Sequence, residues 1–570
     1  MRYDISRQLQ RSAGKVFWGE TRVTTVRQPG NKPELRSIID VAAEIGLGES
    51  DLILYGPHKA KVRLDRSLHT SNRRGKYVVV TSISPTPFGE GKTTMSIGLA
   101  QGAWKAGIKS VVALRQPSLG PSFGIKGGGA GGGMSTLEPV EELNLHFTGD
   151  AHAVTAAHNA CSAFLDNHLH HGNTLGIDID SIIWPRVLDM NDRALREVTV
   201  GQGDKYGPVR VDEFEINAAS EVMSILSTAT SYADLRHRLA RIVVGFSHRG
   251  DPVTAGDLQV AGAMAALMRD ALAPNLAQTQ AGTPAFVHSG PFGNVALGNS
   301  SVIADQIALG LADMVITEAG FGTDLGFEKF CNVKCRVSGL SPDAAVIVVT
   351  IRSLKAHSGL FKVRPGRPLD PELERENLEA LKTGLPNLIK HIENVRWYGV
   401  PAVVAINSYP TDSPREIDWV VEAAHAAGAD LTVVADVYDR GGNGAIDLAL
   451  AVLAAAERPS SFHHVYELEL PIRDKIERVA KTMYGACGVD YEPEASVAID
   501  RFEQAGFAKV PICMAKTQYS LSGDPKLLAR PEHFRITIRD ARLYAGAGYI
   551  VPIVGNIMLM PGLGTHPSCS

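Results

Sequence analysis

Lys92, Thr93 and Thr94 stand directly after Gly89-Glu90-Gly91, and that order of residue types suits one chemistry, the grasping of phosphate. Small residues let backbone N–H groups converge on phosphate oxygens, and a helix that starts there adds positive partial charge. A lysine at this point reaches the outer phosphates, and a threonine hydroxyl, from Thr93 or Thr94, is placed for Mg2+. The expected ATP-binding residues are Thr86, Pro87, Gly89, Glu90, Gly91, Lys92, Thr93 and Thr94. The pattern is a variant, because Thr86 stands where a G-x-x-x-x-G-K-[ST] motif has its first glycine. Packing alone asks for a Gly-rich turn before a helix, but not for Lys-Thr-Thr at its end.

Other residues of chemical interest lie downstream. Arg115 follows an apolar run and should emerge on the rim that carries the phosphate loop. Lys126 and Gly127 open a run in which six of seven residues, 127 to 133, are glycine. Such a run is either a flexible linker or a place of close backbone approach to an anion. Its flanks, FGIK and LNLHFTGD, are not linker-like, and the second flank offers His146 and Asp150 as further rim residues. Tyr409 and Tyr438 each follow a strand-like run and could sandwich a flat heterocycle, although either alone is more often ordinary packing. The six cysteines are scattered; Cys331 and Cys335 are four apart, but no second pair sits at ligand spacing, so no zinc site is expected.

These groups need elements to position them. Val78 to Val80, Val111 to Leu114, Ile242 to Phe246, Met314 to Thr317, Ala345 to Thr350, Ala402 to Ile406 and Leu431 to Ala435 read as buried parallel strands, with helical stretches between them. A helical period also runs from Leu35 to Gly46. The expected fold is α/β: a P-loop-containing, mainly parallel sheet flanked by helices, with smaller additional α/β domains. The expected division is a nucleotide-binding domain at 1–340, a second α/β domain at 341–470, and a small C-terminal domain at 471–570. Lys516 and Gln518 read either as cleft residues or as part of an exposed loop.

The chain has 570 residues, 44% hydrophobic and 21% charged, with a net charge of −4. That composition is ordinary for a globular protein and supplies no bulk positive field for nucleic acid. No apolar run of membrane-spanning length and no secretory leader are apparent, and the scattered cysteines, which form no disulfide framework, point to a reducing cytoplasm.

Taken together, the blocks TPFGEGKTT, LRQPSLGPSFGIKGG, LNLHFTGDAHAV, PVTAGDL, TEAGFGTDLGFEKF, HIENV, AINSYPTD and AKTQYSLS resemble the formate–tetrahydrofolate ligase family. The likeness runs from about Leu35 to Pro561. It implies an enzyme that uses Mg-ATP to phosphorylate formate and then passes the formyl group to N10 of tetrahydrofolate. By that resemblance Lys92, Arg115, His146 and Asp150 are the catalytic candidates, with Arg115 clamping the acyl phosphate and Thr93 nearest the Mg2+. Lys126, Gly127, Tyr409, Pro410 and Tyr438 are the substrate-binding candidates, the two tyrosines enclosing the pterin. The resemblance also implies a homotetramer activated by a monovalent cation, with no nucleic-acid or membrane partner.

Departures from the family pattern sit near these residues. Gln116 replaces a glutamate associated with the monovalent-cation site, Met134 replaces a tyrosine, and Leu297 and Asn299 replace a histidine and a cysteine. Those changes leave a second reading, a divergent relative that activates another small carboxylate or uses a modified pterin. A third reading, a nucleotide-switch ATPase of the partitioning type, is disfavoured by the length of the chain.

Overall fold

A computed structural model describes residues 34–64, 75–126, 128–203, 205–363 and 369–565. Twelve strands form the central sheet: β1 (Leu52–Leu54), β2 (Ala60–Val62), β3 (Lys76–Ser82), β4 (Ser110–Leu114), β5 (Gly131–Gly132), β6 (Ser135–Glu138), β7 (Asn275–Thr279), β8 (Pro284–Val287), β9 (Met314–Gly322), β10 (Ala344–Val349), β11 (Ala402–Asn407) and β12 (Leu431–Ala435). The spatial order is β1-β2-β7-β8-β4-β9-β3-β10-β11-β12, with β5 and β6 branching from β7. From β8 to β12 every neighbouring pair is parallel, whereas the β1–β2–β7–β8 edge is antiparallel.

The parallel strands are apolar at successive positions because both faces of the sheet are covered. Val78 and Val80 of β3 point into one core, with Met95 and Leu99 of helix α2 (Lys92–Lys105). Tyr77 and Val79 point into the other, with Leu381 and Leu388 of a helix at Leu378–Trp397. The helical period at the start of the described chain forms helix α1 (Ile38–Glu44), capped by Ser37. A third core gathers helix α3 (Asp150–His170) with the segments that follow it.

One sequence expectation changes here. Ile242 to Phe246 does form a strand, Val243–Phe246, but it pairs antiparallel with Pro252–Thr254 outside the main sheet. An apolar run of that length fixes a buried strand, not the neighbour it pairs with. The main sheet continues past residue 340, with β10 pairing directly with β3. Strands β13 (Gly488–Tyr491), β14 (Arg535–Tyr544) and β15 (Tyr549–Val554) form a separate three-stranded sheet.

The topology sets the site. Helix α2 carries the chain from β3 to β4, and β9 is inserted between those two strands. The chain after β9 then continues to β10, on the far side of β3. Where connections diverge to opposite sides of a parallel strand, the carboxyl edge opens into a crevice.

Candidate functional site

The loop after β3 is shaped by its own residues. Gly89 and Gly91 take positive φ angles of 77° and 78°. A Cβ on Gly91 would stand 2.6 Å from Asn407 Nδ2, so the close approach of β11 to the loop also requires glycine. Asn407 donates to the Glu90 carbonyl at 3.1 Å. The Glu90 side chain turns inward, accepting from the Thr86 N–H at 2.7 Å and the Thr86 hydroxyl at 2.9 Å. Burial pushes its carboxyl up, against the opposing pull of Lys92. Glu90 therefore closes the loop rather than facing a ligand. Pro87 is exposed, and Lys92, Thr93 and Thr94 are half-buried at the first turn of α2.

Lys92 folds back across the mouth of the loop, its Nζ donating to Ser82 Oγ at 3.2 Å. The root of the loop is tied down from below by the HIENV block. His391 meets Ser84 Oγ at 3.1 Å and Thr323 Oγ1 at 2.6 Å, and Asn394 reaches Thr323 Oγ1 at 3.1 Å. Asn387 accepts from the Ser84 N–H at 3.1 Å and donates to Ser84 Oγ at 3.0 Å. Burial drives the His391 imidazole down to about 3, so the network works with a neutral ring.

Arg115 and the loop face the same edge, and one carboxylate joins them. Glu318, on β9, accepts from Thr93 Oγ1 at 2.6 Å and lies 3.4 Å from the Arg115 guanidinium. Arg115 also donates to the Pro291 carbonyl at 3.1 Å. Glu318 is not among the residues that the sequence singles out, although it is the second residue of the TEAGFGTD block. The signal available was a lone acid at the end of an apolar strand, and only the strand order shows which groups it lies between. Thr93 and Glu318 offer hard oxygen donors beside a loop suited to phosphate, a set that fits Mg2+.

The glycine run has protein for a neighbour. A Cβ on Gly133 would stand 2.1 Å from the Tyr438 carbonyl, and one on Gly132 would stand 3.1 Å from the Tyr438 ring and 3.7 Å from Thr94 Oγ1. Met134 N–H donates to the same Tyr438 carbonyl at 2.8 Å. These glycines thus let β5 slip between α2 and the short helix Val437–Arg440 that bears Tyr438. Gly127 and the side chain of Lys126 lie outside the described residues. Tyr409 follows β11, and the Arg352 guanidinium sits over its ring at 3.5 Å, so one face of Tyr409 is already stacked. Pro410, beside it, is exposed.

The remaining candidates are placed as follows. His146 is exposed in the turn before α3. Asp150, at the start of α3, is buried, with Lys61 Nζ on one carboxylate oxygen at 2.7 Å and Asn275 Nδ2 on the other at 2.7 Å. Lys516 is fully buried, pairing with Asp324 at 2.7 Å, so it does not line a cleft. Gln116 is buried beside a cavity of about 10 Å³ that Asp150 and Ser289 also line. Neither of its amide atoms meets a hydrogen-bond partner among the described residues. Leu297 is packed in the third core, Met134 is exposed, and Asn299 donates to the Glu318 carbonyl at 3.3 Å.

A parallel sheet with a glycine-shaped, lysine-bearing loop and an arginine at one carboxyl edge defines a class: α/β proteins whose loop at the head of a helix suits a phosphorylated ligand. Comparison with known proteins narrows that class. A family model described as Formate--tetrahydrofolate ligase matches residues 28–570. The formate–tetrahydrofolate ligase of Roseiflexus sp. (strain RS-1) is 54% identical over 536 residues, covering 94% of this chain and 95% of that protein. Those of Saccharopolyspora erythraea and Cutibacterium acnes are 53% and 52% identical, with the same coverage. The chain belongs to the formate–tetrahydrofolate ligase family.

Proposed function

We propose that this chain ligates formate to N10 of tetrahydrofolate, consuming ATP and releasing ADP and phosphate through a formyl phosphate intermediate. The observation that carries the reading is the Thr93–Glu318–Arg115 bridge, in which the first turn after the loop and the Arg115 guanidinium meet one carboxylate. Family membership over nearly the whole chain supports it.

Phosphoryl transfer asks a protein chiefly to position groups and neutralise charge. The loop N–H groups around Gly89 and Gly91 take the phosphate oxygens, Lys92 the outer ones, and Thr93 would help to hold Mg2+, which spreads the phosphate charge. A formate oxygen attacks the terminal phosphorus in line, the bond to the β-phosphate oxygen breaks, and ADP leaves. Arg115 binds the acyl phosphate through its planar fork. N10 then attacks the formyl carbon, phosphate departs with the bonding pair, and the N10 proton passes to a base. Exposed His146 is the candidate base, and Asp150 orders the chain bearing it. Tyr438 and Tyr409 hold the pterin, with Pro410 beside it, and Lys126 and Gly127 are the further substrate-binding candidates of the family pattern.

The same reading takes 1–340 as the nucleotide segment, 341–470 as the pterin segment and 471–570 as support, in a cytoplasmic homotetramer. The neutral amide of Gln116 removes a charge from the family's monovalent-cation site, so activation by K+ or NH4+ is expected to be weak.

The test is direct. Purified chain with Mg-ATP, formate and tetrahydrofolate should give 10-formyltetrahydrofolate and ADP. Lys92→Ala should cost ATP turnover about 100-fold or more, and Arg115→Ser should keep nucleotide binding yet lose formyl transfer. No product at any pH, with or without K+ or NH4+, would remove the assignment. ADP release stimulated by a different short acid would favour the divergent relative instead.

A further inference from the structure

Among the described residues, Glu318 is the acid whose carboxylate meets both Thr93 and Arg115. Its strand lies between the strand that feeds the phosphate loop and the strand that ends in Arg115. Glu318 pairs in register with Val80, and the next regular pair is Gly322 with Ser82, so two extra residues enter the strand just beyond it. An irregularity of this kind re-aims the side chain at its edge. Phe321, inside it, takes a φ of 62°, and its carbonyl accepts from Ser82 Oγ at 3.1 Å, the hydroxyl that Lys92 also contacts. Asn299 fastens the Glu318 carbonyl from the other side at 3.3 Å. Glu318 is thus an almost fully buried carboxylate with its backbone pinned and both oxygens turned to the rim.

Such an acid is an electrostatic problem for a phosphate site. It repels the phosphate charge that Lys92 and Arg115 attract, and it occupies the hydroxyl of Thr93. Glu90, the other acid in the loop, is already spent on Thr86. A divalent cation resolves the conflict, because it turns the carboxylate from a repulsive neighbour into a ligand or a water-mediated partner.

We infer that Glu318 is the residue that makes nucleotide binding depend on magnesium: it disfavours metal-free nucleotide and, with Thr93, favours the Mg2+ complex. This rests on the nucleotide reading above and deepens it. Glu318 also holds Arg115 on the lip through the same carboxylate, so the acyl-phosphate clamp and the metal position share one support.

The experiment measures ATP binding by titration calorimetry, without formate or folate, in EDTA and again in excess Mg2+. Wild-type protein should bind Mg-ATP about tenfold or more tighter than metal-free ATP. Glu318→Gln keeps the shape and the hydrogen bond from Thr93 but removes the charge. It should bind metal-free ATP as tightly as wild type or tighter, and Mg2+ should improve binding by less than about threefold. Glu318→Asp, which restores the charge on a shorter arm, should recover part of the magnesium effect. A purely structural role would weaken both forms of ATP alike in Glu318→Gln, and that result overturns the inference. So does a magnesium effect equal to that of wild type. If wild-type protein binds ATP in neither condition, the nucleotide reading itself falls and the inference falls with it.

Discussion

Two charge pairs in this molecule use similar groups to opposite ends. Lys61 and Asp150 meet at 2.7 Å with side chains 0% and 4% exposed, and Asn275 occupies the second carboxylate oxygen. Arg115 and Glu318 stand 3.4 Å apart with side chains 22% and 8% exposed, and the second oxygen of Glu318 takes the hydroxyl of Thr93. The first pair is closed. Its desolvation has been met by short bonds on every side, and nothing is left to bind a ligand. The second pair is loose at the arginine end and open to water, so an incoming phosphate can take the guanidinium for itself. A charged residue near a site becomes available to chemistry only when its present partner can let go.

That contrast can be broken from either side. The largest effect is expected at the closed pair: Lys61→Met strands a buried carboxylate and should lower stability by about 3–5 kcal/mol, read as a shift in denaturant midpoint. Adding Asp150→Asn to that variant should recover part of the loss. A loss below about 1 kcal/mol would mean that the pair is not the closed structural unit described here. On the rim, Tyr438→Ala removes a stacking surface worth about 1 kcal/mol. Folate affinity should fall several-fold while ATP affinity stays put, and equal losses in both would take Tyr438 out of the pterin site.

A dependence on pH sharpens the comparison in a third place. Glu221 is buried, and despite N–H donors from Gly546 and Ala547, burial raises its carboxyl to about 8 from an ordinary 4.5. The folded chain therefore keeps a proton that the unfolded chain has lost across that window. The contribution of this group is full below about pH 4.5 and is lost as pH rises through about 8. Glu221→Gln should make the decline in melting temperature between those limits shallower, and an unchanged pH profile would show that Glu221 ionises freely in the fold.

Much of this was legible in the chain. Val78 to Val80 followed by Gly89-Glu90-Gly91-Lys92 declares a strand, a tight loop and a helix start, because side-chain periodicity and glycine dihedrals are local matters. The blocks of family-like sequence carried the class of reaction. Less legible were Asp150 and the glycine run. Asp150 looks like a rim acid until Lys61 and Asn275, 89 and 125 residues away, close on it. Residues 131 to 133 look shaped for an anion until Tyr438 arrives against them.

The sequence by itself determined the α/β class, the glycine-bent loop that leads into α2, and the edge on which its lysine and the arginine emerge, since each follows from runs of a few neighbouring residues. Tertiary structure alone decided that β9 lies between β3 and β4, and so that Glu318 stands between Thr93 and Arg115. Strand order depends on the free energy of covering both faces of the whole sheet, a quantity that no short stretch of chain contains.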